Sequence, residues 1–172
     1  MFYRYKGYSC QKRRNIGYDG YKKVKGVKLS VLVNLQELPL SIVVAPANQN
    51  DSTLYIPTIK NFMIRRPRGR PVNRPSKVTA DAIYDTIEIR EYNRRRGIKS
   101  NIPVNTRNRK KKKKGRPIKV DWEEFKKKSA IERFFSWIES YKKVFPRYEI
   151  KEISYLGVVM FALIMRLNQV LG

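Results

Sequence analysis

The chain has 172 residues, enough for one domain of ordinary size, and its 41% apolar content is near that of globular proteins. Lys and Arg number 39 against 14 Asp and Glu, a formal net charge of +25 that points to a polyanionic partner, most simply nucleic acid. A single cysteine, Cys10, excludes a disulfide framework, and the absence of His excludes Ser-His-Asp triads, Cys-His dyads and His-ligated metal. Any metal must therefore sit on oxygen ligands, which favours Mg²⁺ or Mn²⁺.

Residues 1–25 mix tyrosines with Lys and Arg without a clear period and read as an extended arm or long loop. Such a mixture could stack on bases and hold phosphates, or could be a frayed loop. From residue 26 onward the pattern is that of one domain. Gly26 to Asn34 alternates, with Val27, Leu29, Val31 and Val33 on one face and Lys28 and Ser30 on the other, which predicts a half-buried strand. Leu38 to Ala45 predicts a second, more central strand, and the short link makes the two an antiparallel hairpin. A helix is expected from an Asp51 or Ser52 cap to about Met63.

The stretch 65–77 is rich in Arg and Pro, has no acid, and reads as an extended basic loop. Lys77 to Ala80 predicts a short strand leading to Asp81, Thr86 to Arg96 a helix ending near Gly97, and Ile98 to Val104 another strand. Asp85 reads as the cap of that helix. Residues 105–119 carry the unbroken run Lys110 to Lys114 and are expected to be flexible without a partner. Trp122 to Phe145 gives the strongest helical pattern, with Ile131, Phe134, Phe135 and Ile138 as its apolar stripe. Tyr155 to Leu171 is apolar nearly all round and is expected to be a largely buried helix. Its uninterrupted apolar core, Leu156 to Met165, is too short to span a bilayer, and the N-terminus lacks the apolar core of a signal peptide. No membrane is expected, and the location expected is cytoplasmic, on the nucleoid. Strands first and helices later suggest an α/β or α+β layering.

With His absent, carboxylates are the remaining catalytic groups. Asp81 follows a predicted strand, and Glu132 lies inside the strongest helix with Lys128 and Ser136 on the same face. A strand-end Asp and a helical Glu could converge on a divalent cation, and two such ions serve in-line phosphodiester chemistry without His. Against that stand plainer readings: Asp81 as a turn residue, Glu132 as a solvated helix residue, the Lys run as nonspecific phosphate binding.

Three ordered segments resemble insertion-sequence transposases of the DDE type. Tyr18 to Ser52 resembles the family's KG-x-K strand, "GLPL" strand (ELPL here) and "ANxxDS" helix start. Thr79 to Pro117 is similar to its "ADKGYDS…GI…IP.R" segment, and Phe125 to Glu149 to its glutamate helix. The resemblance implies an α/β fold: a ribonuclease H-like mixed sheet flanked by helices, incomplete here because the first strand is missing. It implies Asp81 and Glu132 as second and third acids of a metal-binding, catalytic Asp, Asp, Glu set, with Mg²⁺ or Mn²⁺ as cofactor. No acid matches the first, so the chain is expected to begin after the first catalytic strand, with 26–172 a truncated catalytic domain.

The family's Tyr-x2-Arg-x3-Glu-x6-Lys signature reads Phe125, Lys128, Glu132 and Glu139 here. Lys128 keeps charge without the Arg fork, and Glu139 reverses the charge of a DNA-contacting Lys. DNA-binding candidates are Lys128, Arg65, Arg66, Arg68, Arg70, Lys110, Lys111, Lys112, Lys113, Lys114, Lys142 and Lys143. The partners implied are DNA, as transposon ends and target, and an N-terminal transposase fragment or a second copy. The reaction implied is metal-dependent DNA cleavage and strand transfer, with the chain alone expected to bind DNA but not cut it. The competing class is a noncatalytic basic nucleic-acid-binding protein or a decayed transposase remnant.

Overall fold

The computed structural model describes residues 16–20, 23–107, 117–145, 147 and 149–171. Strands β1 (Gly17–Asp19), β2 (Val24–Val33) and β3 (Pro39–Pro46) form an antiparallel sheet in that order. Helix α1 (Asp51–Lys60) follows, then β4 (Lys77–Thr79), a 3-10 turn (Ala82–Tyr84), α2 (Ile87–Arg96) and β5 (Lys99–Asn101). β4 and β5 pair in parallel as a second small sheet. The chain ends in α3 (Trp122–Lys126), α4 (Ser129–Glu139) and α5 (Glu152–Leu171). The α/β class expected from the sequence holds, with the strands divided between two sheets.

β2 is the spine of the fold because both its faces are covered. Val27, Leu29, Val31 and Ile42 pack on Ile131, Phe134, Phe135 and Ile138 of α4 and on Tyr155, Val159, Ala162 and Leu163 of α5. Leu32 joins a second core with Tyr55 and Ile59 of α1, Val78, Tyr84, and Ile89 and Tyr92 of α2. The polar face expected to meet water is instead closed by α1: Ser30 Oγ lies 2.5 Å from Thr58 Oγ1, both fully buried, and Lys28 pairs with Asp51 at 2.7 Å. Period-two alternation fixed which residues share a face, but α1 decided that the second face is covered too.

Local signals explain the ends of elements. Thr86 caps α2 by accepting from Ile89 N–H, and Gly97 ends it at φ +65. The side chain of Asp85, expected as that cap, is instead wholly buried, paired with Arg90 Nε at 2.5 Å and accepting Asn105 N–H at 2.8 Å. Asn50, not Asp51 or Ser52, caps α1 by accepting from Ser52 N–H at 3.1 Å. The expected strand 98–104 is ladder-bonded only over 99–101. Gly17–Asp19, read as part of an arm, is a strand paired with the start of β2.

The single helix expected over 122–145 is broken twice. Around Lys127 and Lys128 the hydrogen bonds tighten to the i→i+3 pattern, Lys128 N–H to Phe125 O at 3.1 Å and Ile131 N–H to Lys128 O at 3.1 Å. After Glu139 the chain turns rather than coils. α5 begins at Glu152, one turn ahead of the expected Tyr155, yet it buries only one stripe: Ile153, Phe161 and Ile164 are 76%, 65% and 56% exposed. It extends beyond the apolar core 156–165, so by length and composition alone it is long enough to cross a membrane. Its inner stripe packs on the sheet.

Candidate active site and nucleic-acid interface

The candidate site lies where β4 meets α3 and α4. Lys77, Thr79 and Asp81 alternate along one face of β4 and its extension. They meet Asp121, Glu124 and Lys128, which follow at helical spacing. Lys77 Nζ reaches Asp121 Oδ2 at 3.0 Å and also pairs with Glu124. Thr79 Oγ1 donates to Glu124 Oε1 at 3.1 Å, and Lys128 Nζ to Asp81 Oδ1 at 3.1 Å. The strand side thus reads Lys, Thr, Asp against Asp, Glu, Lys, with opposite charges facing each other at both ends of the seam.

Asn101, buried on β5, fixes the start of α3 by accepting Asp121 N–H at 2.8 Å and donating to Asp121 O at 3.0 Å. Asp121 in turn caps α3 through Glu124 N–H at 3.1 Å. That backbone N–H first, and Lys77 second, hold the Asp121 carboxyl below its ordinary range. Hydrogen bonds to Glu124 and then Asp121 hold the Lys77 ammonium above its own. Asp121 and Glu124 escaped the sequence reading. The signal for Asp121 was the capping position ahead of Trp122, but its partners lie far back in the chain.

Of the two candidate acids, Asp81 stands at the end of the seam in contact with Lys128. Lys128 also sits 5.1 Å over the Phe125 ring, in the place the family gives to Tyr and Arg. Glu132 is one helical turn beyond Lys128 on α4, exposed to solvent. Two carboxylates, one of them engaged by an ammonium, do not make a centre for two divalent ions. Among the described residues no cluster of three Asp, Glu, Cys or His is placed to hold a metal.

The basic candidates divide. Arg65, Arg66, Arg68 and Arg70 are exposed on a loop closed by an isolated bridge between Ile64 and Val72. Lys142 and Lys143 are exposed in the turn after α4. Lys110, Lys111, Lys112, Lys113 and Lys114 lie outside the described residues.

The described residues form a mixed α/β domain that carries Asp81 at a strand end, Glu132 on a helix and exposed basic residues on a loop and a turn. The family that matches is the one described as Transposase DDE domain, over residues 4–148; the chain belongs to it. Divalent metal ions are general in that family. A putative transposase for insertion sequence element IS402, from Burkholderia cepacia, is 31% identical over 125 residues. Those residues are 72% of this chain and 54% of the relative, so the chain spans about half the length of the curated relative. No solved structure matches it.

Proposed function

We propose that the chain is the core portion of a DDE-type insertion-sequence transposase, which grips DNA and contributes Asp81 and Glu132 to metal-dependent strand cleavage and transfer. The observation that carries this is the Asp81–Lys128 contact. It joins the strand-end acid to the helix of the second acid, one turn before Glu132. The cofactor of the complete enzyme is Mg²⁺ or Mn²⁺, and the chain alone, short of a third carboxylate, binds DNA without cutting it. The setting is the cytoplasm, on the nucleoid.

The third carboxylate comes from a partner strand, an N-terminal transposase fragment. Over residues 27–33, β2 is paired on one side by β3, and its other edge has no strand among the described residues. The outer edge of β4 is likewise open. A groove of about 310 Å³ between them is lined by Leu32, Val33, Lys77, Val78, Thr79 and Lys128, among others. An extended segment seated there satisfies both edges and places an acid beside Asp81.

The test is a nicking assay on a duplex carrying the element's end, with Mg²⁺ or Mn²⁺. Binding without nicking is expected for the chain alone. Nicking is expected when a fragment bearing an Asp-containing strand, translated from the upstream DNA, is added, and it should vanish with Glu132→Gln. Nicking by the chain alone that depends on Glu132 overturns the need for a partner. A noncatalytic DNA-binding role is favoured by one observation, that no three acids among the described residues are placed to hold a metal. Failure of every upstream fragment to restore nicking, with DNA binding intact, decides for it.

A further inference from the structure

We infer that the loop 65–71 is a minor-groove reader that prefers A·T-rich duplex DNA, an inference that rests on the DNA-binding reading above and adds what kind of DNA is read. The loop rises from a single bridge, Ile64 N–H to Val72 O and Val72 N–H to Ile64 O, both at 2.9 Å. Its base is clamped to the end of α2. Arg74 donates to Arg96 O at 2.6 Å and to Gly97 O at 2.8 Å, and Arg96 donates to Asn73 O at 2.9 Å. Two arginines thus hold the base, while Arg65, Arg66, Arg68 and Arg70 have no hydrogen bond or ion pair among the described residues.

The tip sequence, Pro67-Arg68-Gly69-Arg70-Pro71, is built for a narrow slot. Each Pro fixes its own φ, and Arg66 and Arg70, each preceding a Pro, are held extended. Gly69 turns at φ +90, with nothing within 4 Å of where a Cβ would stand. The backbone there is slender and unobstructed. The minor groove, roughly 6 Å wide, excludes a helix but admits such a chain, and A·T-rich tracts narrow it and deepen its negative potential.

The choice of cation supports the same reading. Every basic residue from 65 to 74 is Arg, whereas the run at 110–114 is all Lys. Guanidinium is more weakly hydrated than ammonium and is the side chain drawn into narrow minor grooves. A G·C pair puts its 2-amino group on the groove floor, where Gly69 and the flanking guanidinium groups would have to sit.

The experiment is fluorescence anisotropy with three duplexes of equal length: A·T-rich, G·C-rich, and the G·C-rich one with inosine replacing guanosine. Inosine removes the 2-amino group and leaves the major-groove edge of the base unchanged. Expected is tighter binding to the A·T-rich duplex, by about tenfold, with the inosine duplex resembling it. The charge-preserving Arg68→Lys/Arg70→Lys variant should bring the ratio of A·T-rich to G·C-rich affinity below about twofold. Equal binding to all three duplexes overturns the inference and leaves the DNA-binding reading standing. So does a preference that survives the double variant, or one that inosine fails to restore. No binding to any duplex overturns the DNA-binding reading itself.

Discussion

Lys128 Nζ lies 3.1 Å from Asp81 Oδ1, across 47 residues of sequence, and so closes the seam between β4 and the α3–α4 segment. Both side chains are about a third exposed, so the pair contributes little to folding, within about 1 kcal/mol. Its influence is on the carboxylate: a cation approaching Asp81 meets an ammonium already there. Lys128→Ala is expected to leave the unfolding free energy nearly unchanged and to raise Mn²⁺ affinity several-fold, read by electron paramagnetic resonance titration. Adding Asp81→Asn should cancel the gain. An unchanged Mn²⁺ affinity in Lys128→Ala contradicts this account of the pair.

Asp85 is the costliest acid to remove. Its carboxylate is fully buried, receives Arg90 Nε on one oxygen and Asn105 N–H on the other, and Arg90 also donates to Ile102 O at 2.9 Å. Asp85→Ala leaves a mostly buried guanidinium without its counter-charge. The expected loss is on the order of 3 kcal/mol in urea unfolding. A loss below about 1 kcal/mol would show that water or a rotated Arg90 replaces the pair.

Two tyrosines make the fold sensitive to alkali. Burial is the main reason that Tyr55 and Tyr155 are each pushed up from 10.0 to about 12. Between those values the unfolded chain has lost a proton that the folded chain keeps, so stability falls as pH rises. Below pH 10 these groups contribute no slope, and above about 12 the loss is complete, a few kcal/mol for each. Tyr155→Phe and Tyr55→Phe should each flatten the decline of the denaturation midpoint between pH 10 and 12. At pH 8, Tyr55→Phe should cost about 1 kcal/mol, because Tyr55 and Asn93 hydrogen-bond each other in the core.

Gly17 of β1 lies against Asn48. A Cβ there would stand 2.0 Å from Asn48 Oδ1 and 2.6 Å from Asn48 N, and the second atom is backbone that cannot rotate away. Gly17→Ala should therefore free β1 from β2 without unfolding the rest. Hydrogen exchange checks this: amides of 24–26 lose protection while those of 28–32 keep theirs.

The sequence revealed structure wherever the signal was local. Thr86 and Gly97 bracket α2 within a residue of the expected ends, and the alternation of Val27, Leu29 and Val31 identified the face of β2 that meets α4 and α5. It was silent where meaning depends on a distant partner. Asp85 looked like a cap because its position is right for one, and only Arg90 and Asn105 make it a buried ion. The stripe of Ile131, Phe134, Phe135 and Ile138 lies wholly beyond the break at Lys127 and Lys128, so it carried no sign of where the helix divides. Glu124 had no signal at all: its partners Lys77 and Thr79 lie 47 and 45 residues away. Asp81 and Glu132 owe their candidate roles to family resemblance, and their own surroundings distinguish them little from ordinary surface acids.

The outer stripe of α5 gives the chain a colloidal character opposed to its charge. Ile153, Phe161 and Ile164 form an uncharged apolar strip on a chain of net charge +25, and mutual repulsion keeps such strips apart in dilute buffer. Added salt shortens that repulsion from roughly 10 Å of reach at 0.1 M to roughly 3 Å at 1 M while leaving the apolar attraction in place. On the proposed DNA-binding role, the same salt would strip the chain from nucleic acid. Light scattering should then rise over the ionic-strength range in which DNA is released, the chain being best dispersed when polyanion-bound and clustering once freed.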